Sequence, residues 1–278
     1  MTLATLDEVL RAAVAAGRAV GAFNIIQIEH AEAFVAAADR TGLPVVLQIS
    51  QNTVGYHGAL APTALATKAL AAAASARCVL QLDHALDESL IDEAVDLGFT
   101  AVMFDGSTLD DAANRDRTKA IVQRCHAAGV SVEAELGEIG GKEGAHAVGA
   151  RTDPHDAMRF TEETGIDALA VAVGSSHAMT NRTAELDLEL IRKIRKVVPV
   201  PLVLHGSSGV PDATLTDAVG AGMVKINIAT HLNHVFTAAL KDFIAANPSV
   251  VDTRKYLGAA RRAVESEAAR LLQLLALR

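Results

Sequence analysis

In the stretch Cys78-Val79-Leu80-Gln81-Leu82-Asp83-His84, residues 85–100, and Ala101-Val102-Met103-Phe104-Asp105, two short apolar runs flank a segment of helical periodicity. Gly98 lies just before the second run, where a helix-ending glycine belongs. The runs are continuous rather than alternating, as strands buried on both faces are. The same unit recurs along the chain, with apolar runs at 19–24, 44–50, 78–83, 101–105, 131–135, 168–173, 202–205 and 223–227. Spread over 278 residues, each unit has about 35, enough for a strand, a helix and two short loops.

The intervening segments carry helix punctuation. Asp153-Pro154 offers an N-cap followed by proline at the first helical position, and Gly165 lies where that helix ends. Gly42, Gly129 and Gly222 precede other runs as Gly98 does. Eight βα units without a linker predict an α/β fold, a closed (β/α)8 TIM barrel forming one domain over residues 1–278. A doubly wound open sheet is the runner-up, but no GxGxxG follows the first run. Beyond the eighth run, 230–246 and 253–277 read as helices. The first is expected to close the barrel wall, and the second to be an extra C-terminal helix available for assembly.

Half the residues are apolar but only 3% are aromatic, with no Trp, so the core must be built from Ala, Val, Leu and Ile. A net charge of −8 argues against nucleic acid as a partner, since that needs a basic face. Cys78 and Cys125 lie in apolar surroundings, which excludes a readable disulfide framework or cysteine zinc site. The N-terminus lacks a basic region followed by an apolar run, and no stretch reaches the roughly 18 apolar residues of a membrane span. The expectation is a soluble, globular, cytoplasmic chain with no membrane partner.

In such a barrel the active site forms at the carboxyl ends of the strands. Here those ends carry Asn24, Ser50, Asp83-His84, Asp105, Glu135, His177, His205 and Asn227. All are polar and able to ligate metal, transfer protons or hydrogen-bond. His84, His177 and His205 lie at or shortly after the third, sixth and seventh runs, so three imidazoles can meet at one mouth. Three neutral nitrogens with an open position is the usual arrangement for catalytic Zn²⁺. The competing reading is three separate histidines satisfied in loops. His231 and His234 sit one turn apart and read as a solvated helix face, and His30, His57, His126, His146 and His155 have no supporting context.

Two adjacent segments suggest phosphate: His205-Gly206-Ser207-Ser208-Gly209, and Asn227-Ile228-Ala229-Thr230, which opens a helix. The fifth run leads into the glycine-rich stretch 136–144, which reads as a lid carrying Glu143. Glu143 is either a base that arrives with substrate or an ordinary solvated charge.

Seven motifs spread from the first run to the eighth resemble the class II, zinc-dependent ketose-bisphosphate aldolases, which include the fructose- and tagatose-bisphosphate aldolases. They are Ala22-Phe23-Asn24, Leu82-Asp83-His84, Asp105-Gly106-Ser107, Val132 through Gly137 with Gly140-Gly141, Ala170 through Gly174 with His177, Leu204-His205-Gly206, and Lys225-Ile226-Asn227. Residues 252–261 resemble the family's C-terminal segment, so the likeness covers nearly the whole chain. The resemblance implies a barrel that reversibly cleaves a ketose phosphate, of the fructose 1,6- or tagatose 1,6-bisphosphate type, into dihydroxyacetone phosphate and an aldehyde such as glyceraldehyde 3-phosphate. It implies Zn²⁺ on His84, His177 and His205, Asp83 exchanging a proton with the C4 hydroxyl, and Glu143 deprotonating dihydroxyacetone phosphate. Asn24, Ser50, the Ala178 amide, Gly206, Ser207, Ser208, Asn227, Ile228, Ala229 and Thr230 would bind substrate, with Asp105 and Glu135 near the metal. A monovalent cation, Na⁺ or K⁺, beside the phosphate and a homodimer or homotetramer are further implications.

The chain departs from the family pattern at Ala178, where glycine is usual, at Lys142 before the lid carboxylate, and at Gly258, where some members carry an arginine that reaches the second phosphate. A substrate with an altered distal end is therefore an alternative. Breaking the C3–C4 bond leaves charge that must spread into the C2 carbonyl, which a divalent cation stabilises as a Lewis acid. The other electron sink is a lysine Schiff base, for which Lys225, inside a run, is the candidate. A metal-dependent barrel hydrolase would open with His-x-His where this chain has Phe23-Asn24. A sugar-phosphate-binding barrel without catalysis would have lost its acid/base positions, yet Asp83 and Glu143 are present.

Overall fold

The structure, a computed structural model, describes residues 3–136, 151–177, 179 and 181–278. Eight parallel strands close on themselves in chain order: β1 Val20–Asn24, β2 Val45–Ser50, β3 Cys78–Ala85, β4 Ala101–Phe104, β5 Ser131–Leu136, β6 Ala168–Val171, β7 Leu202–Leu204 and β8 Met223–Ile228. Each apolar run of the sequence is one of them, and β1 pairs directly with β8 through Val20↔Lys225 to Phe23↔Ile228. The helices among the described residues are α1 Leu6–Ala15, α2 Ile28–Thr41, α3 Gln51–His57, α4 Ala61–Ala73, α5 Glu88–Leu97, α6 Asp111–Ala127, α7 Pro154–Thr164, α8 Leu188–Val197, α9 Asp212–Ala221, α10 Thr230–Ala246 and α11 Thr253–Leu275. Their ends follow local chemistry. The Asp153 carboxylate accepts from the amides of His155 and Asp156 to start α7, and Gly165 ends it in the left-handed region at φ 73°.

The two C-terminal helices exchange the roles expected of them. α11 packs against α2, α9 and β1 and so fills the wall position between the helices that follow β1 and β7. It buries Val264, Leu271, Leu272 and Leu275, and the Ala19 amide donates to the Leu275 carbonyl at 2.9 Å. α10 buries only Leu232 and Phe236 and lies outside, against α11. The reason is composition: α11 carries a continuous apolar stripe, while the far half of α10 is largely solvated.

Apolar packing occurs in two layers. The outer one, between strands and helices, holds the phenylalanines Phe23, Phe34, Phe99, Phe104 and Phe160. The inner one lies inside the barrel at its amino-terminal end, where Val20, Ala22, Val46, Val79, Met103 and Val203 meet Leu6, Val9, Leu10 and Ala13 of α1. α1 is thus a plug, and its start is a reciprocal cap between Thr5 and Glu8. Above this layer the interior turns polar: Gln48, Gln81, Glu133 and Lys225 are all fully buried.

Two breaks in strand register make that interior possible. Side chains of a regular strand alternate between faces. Between β3 and β4 the pairing shifts between Leu82 and Ala85, and His84 takes φ 49°. Leu82 and Ala85 face the outer layer, so both Asp83 and His84 turn into the mouth. Between β7 and β8 the register moves from Leu202↔Met223 to Val203↔Lys225, so Val224 and Lys225 both point inward.

Replacing Leu10 by Ala removes a side chain 1% exposed from the base of the plug. The expected cost is about 3 kcal/mol of stability, seen as a lowered urea midpoint with an unchanged slope.

Candidate metal centre and active site

A cavity of about 470 Å³ opens at the carboxyl ends of the strands. Of the residues singled out in the sequence, Asn24, Ser50, Asp83, His84, Asp105, His177, His205, Gly206, Ser207, Ser208, Asn227, Ala229 and Thr230 line it. Glu135 is buried and grouped with His84 and Asp105. Ile228 follows Asn227 on the strand and therefore turns its side chain into the outer apolar layer. Glu143 and Ala178 lie outside the described residues.

The three imidazoles converge. Ring centroids are 4.7 Å apart for His84 and His205, 5.2 Å for His84 and His177, and 5.8 Å for His177 and His205. One nitrogen of each falls within 4.8 Å of the others. Two of the tautomers are set by carboxylates. His84 Nδ1 donates to Asp105 Oδ2 at 2.8 Å, and His205 Nε2 donates to Glu133 Oε1 at 2.9 Å. The opposite nitrogens, His84 Nε2 and His205 Nδ1, then face each other at 3.0 Å with lone pairs converging. Two such lone pairs repel unless positive charge sits between them, which is the donor chemistry a divalent cation satisfies. A second group, His84, Asp105 and Glu135, shares one imidazole with the first and is richer in oxygen donors.

The carboxylates behind these rings are ionised for reasons visible in their neighbours. Burial alone would raise the Glu133 carboxyl, but Lys225 and the hydrogen bond from His205 win and hold it well below the usual carboxylate range. Burial pushes the His205 imidazole down to about 4 against the opposing pull of Glu133, so it is neutral and able to ligate near neutral pH. Asp83 resists burial in the same way, held low by His84, His205 and Lys225 and by a hydrogen bond from Asn24. Its Oδ2 accepts from Asn24 Nδ2 at 2.8 Å and its Oδ1 from Gln48 Nε2 at 3.0 Å.

Lys225 does not reach the cavity. Its Nζ is 2.8 Å from Glu133 Oε2 and donates to Asn227 Oδ1 at 2.8 Å, with the side chain fully buried. A Schiff-base lysine needs an accessible amine; this one is committed beneath the site, and the geometry favours metal chemistry over it.

At the other end of the cavity, β7 runs into a short 3-10 turn at Ser207–Gly209, beside the start of α10. Gly206 has φ 66°, and a Cβ there would stand 2.6 Å from the Ser176 carbonyl carbon, so only glycine lets the two loops approach this closely. Ser208 Oγ accepts from the amides of Ala229 at 3.3 Å and His231 at 3.1 Å. Small residues and a helix start at one end, imidazoles and a carboxylate at the other, suit a phosphorylated substrate.

Residues 4–277 match the family described as fructose-bisphosphate aldolase class-II. The chain belongs to that family. It is an aldehyde-lyase of a divalent-metal-dependent class, acting on a sugar phosphate. A fructose-bisphosphate aldolase of Thermus caldophilus is 38% identical over 95% of this chain and 94% of its own. The YdjI aldolase of Escherichia coli K12 superposes with a TM-score of 0.87 at 29% identity, covering 99% of this chain and 97% of its own. The fructose-bisphosphate aldolase of Campylobacter jejuni shares the fold, with a TM-score of 0.83 at 22% identity over 99% and 95% of the two chains.

Sequence reasoning missed Gln48, Gln81 and Glu133, which are hydrogen-bonded to one another and to Asp83 and His205 beneath the cavity, and Asn52, Leu86 and Thr108, which line it. Glu133 was findable: it stands two residues before Glu135 on one strand and so shares its face. His231 differs from its expected solvated role, since its Nε2 is 2.6 Å from Glu267 Oε1, whereas His234 is exposed.

Because Glu133 orients His205, Glu133→Gln is expected to weaken zinc binding about 10- to 100-fold while leaving the far-ultraviolet circular dichroism spectrum unchanged. Chelator competition measures the affinity; wild-type affinity would remove Glu133 from the metal's support.

Proposed function

We propose that the protein reversibly cleaves a ketose bisphosphate of the fructose 1,6- or tagatose 1,6-bisphosphate type into dihydroxyacetone phosphate and an aldehyde such as glyceraldehyde 3-phosphate. The observation that carries this is the meeting of His84 Nε2 and His205 Nδ1 at 3.0 Å in the same cavity as the ionised Asp83 and the Gly206–Ser208 turn. His84, His177 and His205 would hold Zn²⁺, which when bound supplies Lewis acidity for the charge that develops at the C2 oxygen.

Asp83 takes the C4 hydroxyl proton as the C3–C4 bond breaks, and the electron pair stays with C3 and spreads toward C2. Asn24 and Gln48 each hold one oxygen of Asp83, which keeps the carboxylate aimed at the cavity. Protonation at C3 completes dihydroxyacetone phosphate, the reverse of the deprotonation assigned to Glu143. Gly206, Ser207, Ser208, Asn227, Ala229 and Thr230 cradle the phosphate end, with the amides of Ala178 and Ile228 and a monovalent cation, Na⁺ or K⁺, beside it. Asp105 and Glu135 would support the metal, the first through its bond to His84. The fold is taken as one domain and the assembly as a homodimer or homotetramer. The two free, buried cysteines support a cytoplasmic setting.

A second reading, cleavage of a different ketose phosphate, is favoured by the neutral outer wall. Asn52, Leu86 and Thr108 line it, there is no Lys or Arg among the described residues of the cavity, and the family resemblance puts Gly258 where some members carry an arginine. A barrel that binds sugar phosphate without catalysis is disfavoured by the intact Asp83.

The test is cleavage of fructose 1,6-bisphosphate and tagatose 1,6-bisphosphate with and without a chelator. Activity should vanish on chelation and return with Zn²⁺; chelator-resistant turnover trapped by borohydride would point to Lys225 instead. Asp83→Ala should keep its zinc and lose cleavage by about 10²- to 10⁴-fold, and a variant that turns over normally would remove Asp83 from the mechanism.

A further inference from the structure

A chain of charged groups starts and ends at the turn after β7 without entering the cavity. Arg182, in the segment between β6 and α8, donates from Nε at 2.9 Å and from a terminal nitrogen at 2.6 Å to the Val210 carbonyl. Nearby, the Ala184 amide donates to the Gly209 carbonyl at 2.9 Å. Arg182 also pairs with Asp212 at 2.6 Å, at the start of α9. The other Asp212 oxygen meets Arg270 of α11 at 2.6 Å. Arg270 grips both oxygens of Glu267, at 2.7 and 2.8 Å. Glu267 Oε1 is 2.6 Å from His231 Nε2, and the His231 amide returns to Ser208 Oγ at 3.1 Å.

We propose that Arg182, Asp212, Arg270, Glu267 and His231 are positioning residues of the phosphate subsite, a ring that sets the spacing between the Gly206–Ser208 turn and the start of α10. This rests on the assignment of the phosphate to that end of the cavity. The two segments follow the paired strands β7 and β8 and meet again through Ser208; the ring ties them a second time, on the side away from the barrel. It does so by bridging both to α11, the helix that closes the wall. Its charges balance, two arginines against two carboxylates, so it adds no net charge beside the phosphate end and acts mainly on geometry.

A purely stabilising role explains the arrangement less well. Arg182, Asp212 and Arg270 are 27, 37 and 42% exposed, and pairs this exposed are each worth little. Continuity is what the ring adds: a bidentate fork on Glu267 orients Arg270, a bifurcated contact on Val210 orients Arg182, and Asp212 joins the two as an ion pair to each. Amides that bind phosphate must be placed to within a fraction of an ångström, and small misplacements cost binding steeply.

Dihydroxyacetone phosphate and inorganic phosphate are titrated calorimetrically into zinc-loaded wild type, Arg270→Ala and Glu267→Gln, alongside zinc content and cleavage kinetics. The expected result is binding of both ligands weakened about tenfold in each variant, with KM raised in step, kcat lowered less than threefold and zinc content unchanged. Arg270→Lys, which keeps the charge, should recover part of the loss. Variants that bind both ligands like wild type and show only a lower melting temperature would overturn the ring as a positioning device. Wild type that binds inorganic phosphate but cleaves neither ketose bisphosphate would sink the fructose- or tagatose-bisphosphate assignment and leave the ring standing. If wild type binds neither ligand, the phosphate subsite and the ring's role fall together.

Discussion

The ion pair between Glu133 and Lys225, sealed inside the barrel, is the constraint on which the site depends. A carboxylate with no solvent exposure is tolerated only when paired and hydrogen-bonded. Here one oxygen receives Lys225 and Gln81 Nε2, and the other receives His205 Nε2. Removing the lysine would leave a buried anion, and removing the glutamate would leave a buried cation and an imidazole free to change tautomer. The pair therefore does not stabilise the barrel cheaply. It dictates which nitrogen of His205 looks into the cavity, and with it the donor set the three imidazoles present there.

That pair exists because β8 carries one residue more than β7 at the point where they meet. The same device in β3 places Asp83 and His84 side by side in the mouth, with His84 in the left-handed backbone region. A non-glycine residue there costs roughly 1–3 kcal/mol, a strain the surrounding sheet must hold. Both breaks concentrate polar groups: a buried carboxylate next in chain to one of the three converging imidazoles, and a buried lysine two residues before an asparagine that lines the cavity. The apolar plug of α1 seals the opposite end of the barrel, so the polar layer is reached from one side.

The eight strands were legible because each is a short apolar run bounded by glycine or a capping residue, and such runs do not suit any other buried element of that length. The convergence of His84, His177 and His205 was legible too, since the carboxyl ends of a closed barrel share one mouth. Less legible were the roles of the last two helices. Both read as helices of sufficient length, and only packing against α2 and β1 reveals that α11 is the wall helix and α10 the outer one. His231 eluded local reasoning for a similar reason, because its partner Glu267 is 36 residues away on another helix.

What the chain's own order of residues determined is the repeating unit, the number of strands, and the set of polar groups delivered to their ends. These follow from local periodicity and from the chirality that makes successive parallel strands neighbours. Tertiary structure alone decided which of those groups touch: that Glu133 serves His205, that Asp105 serves His84, that Lys225 lies under the site and not in it, and that Ile228 turns away from it. Those outcomes depend on register shifts of one residue between strands. A shift of that size leaves no mark in composition or periodicity, yet it moves a side chain from one face of the sheet to the other.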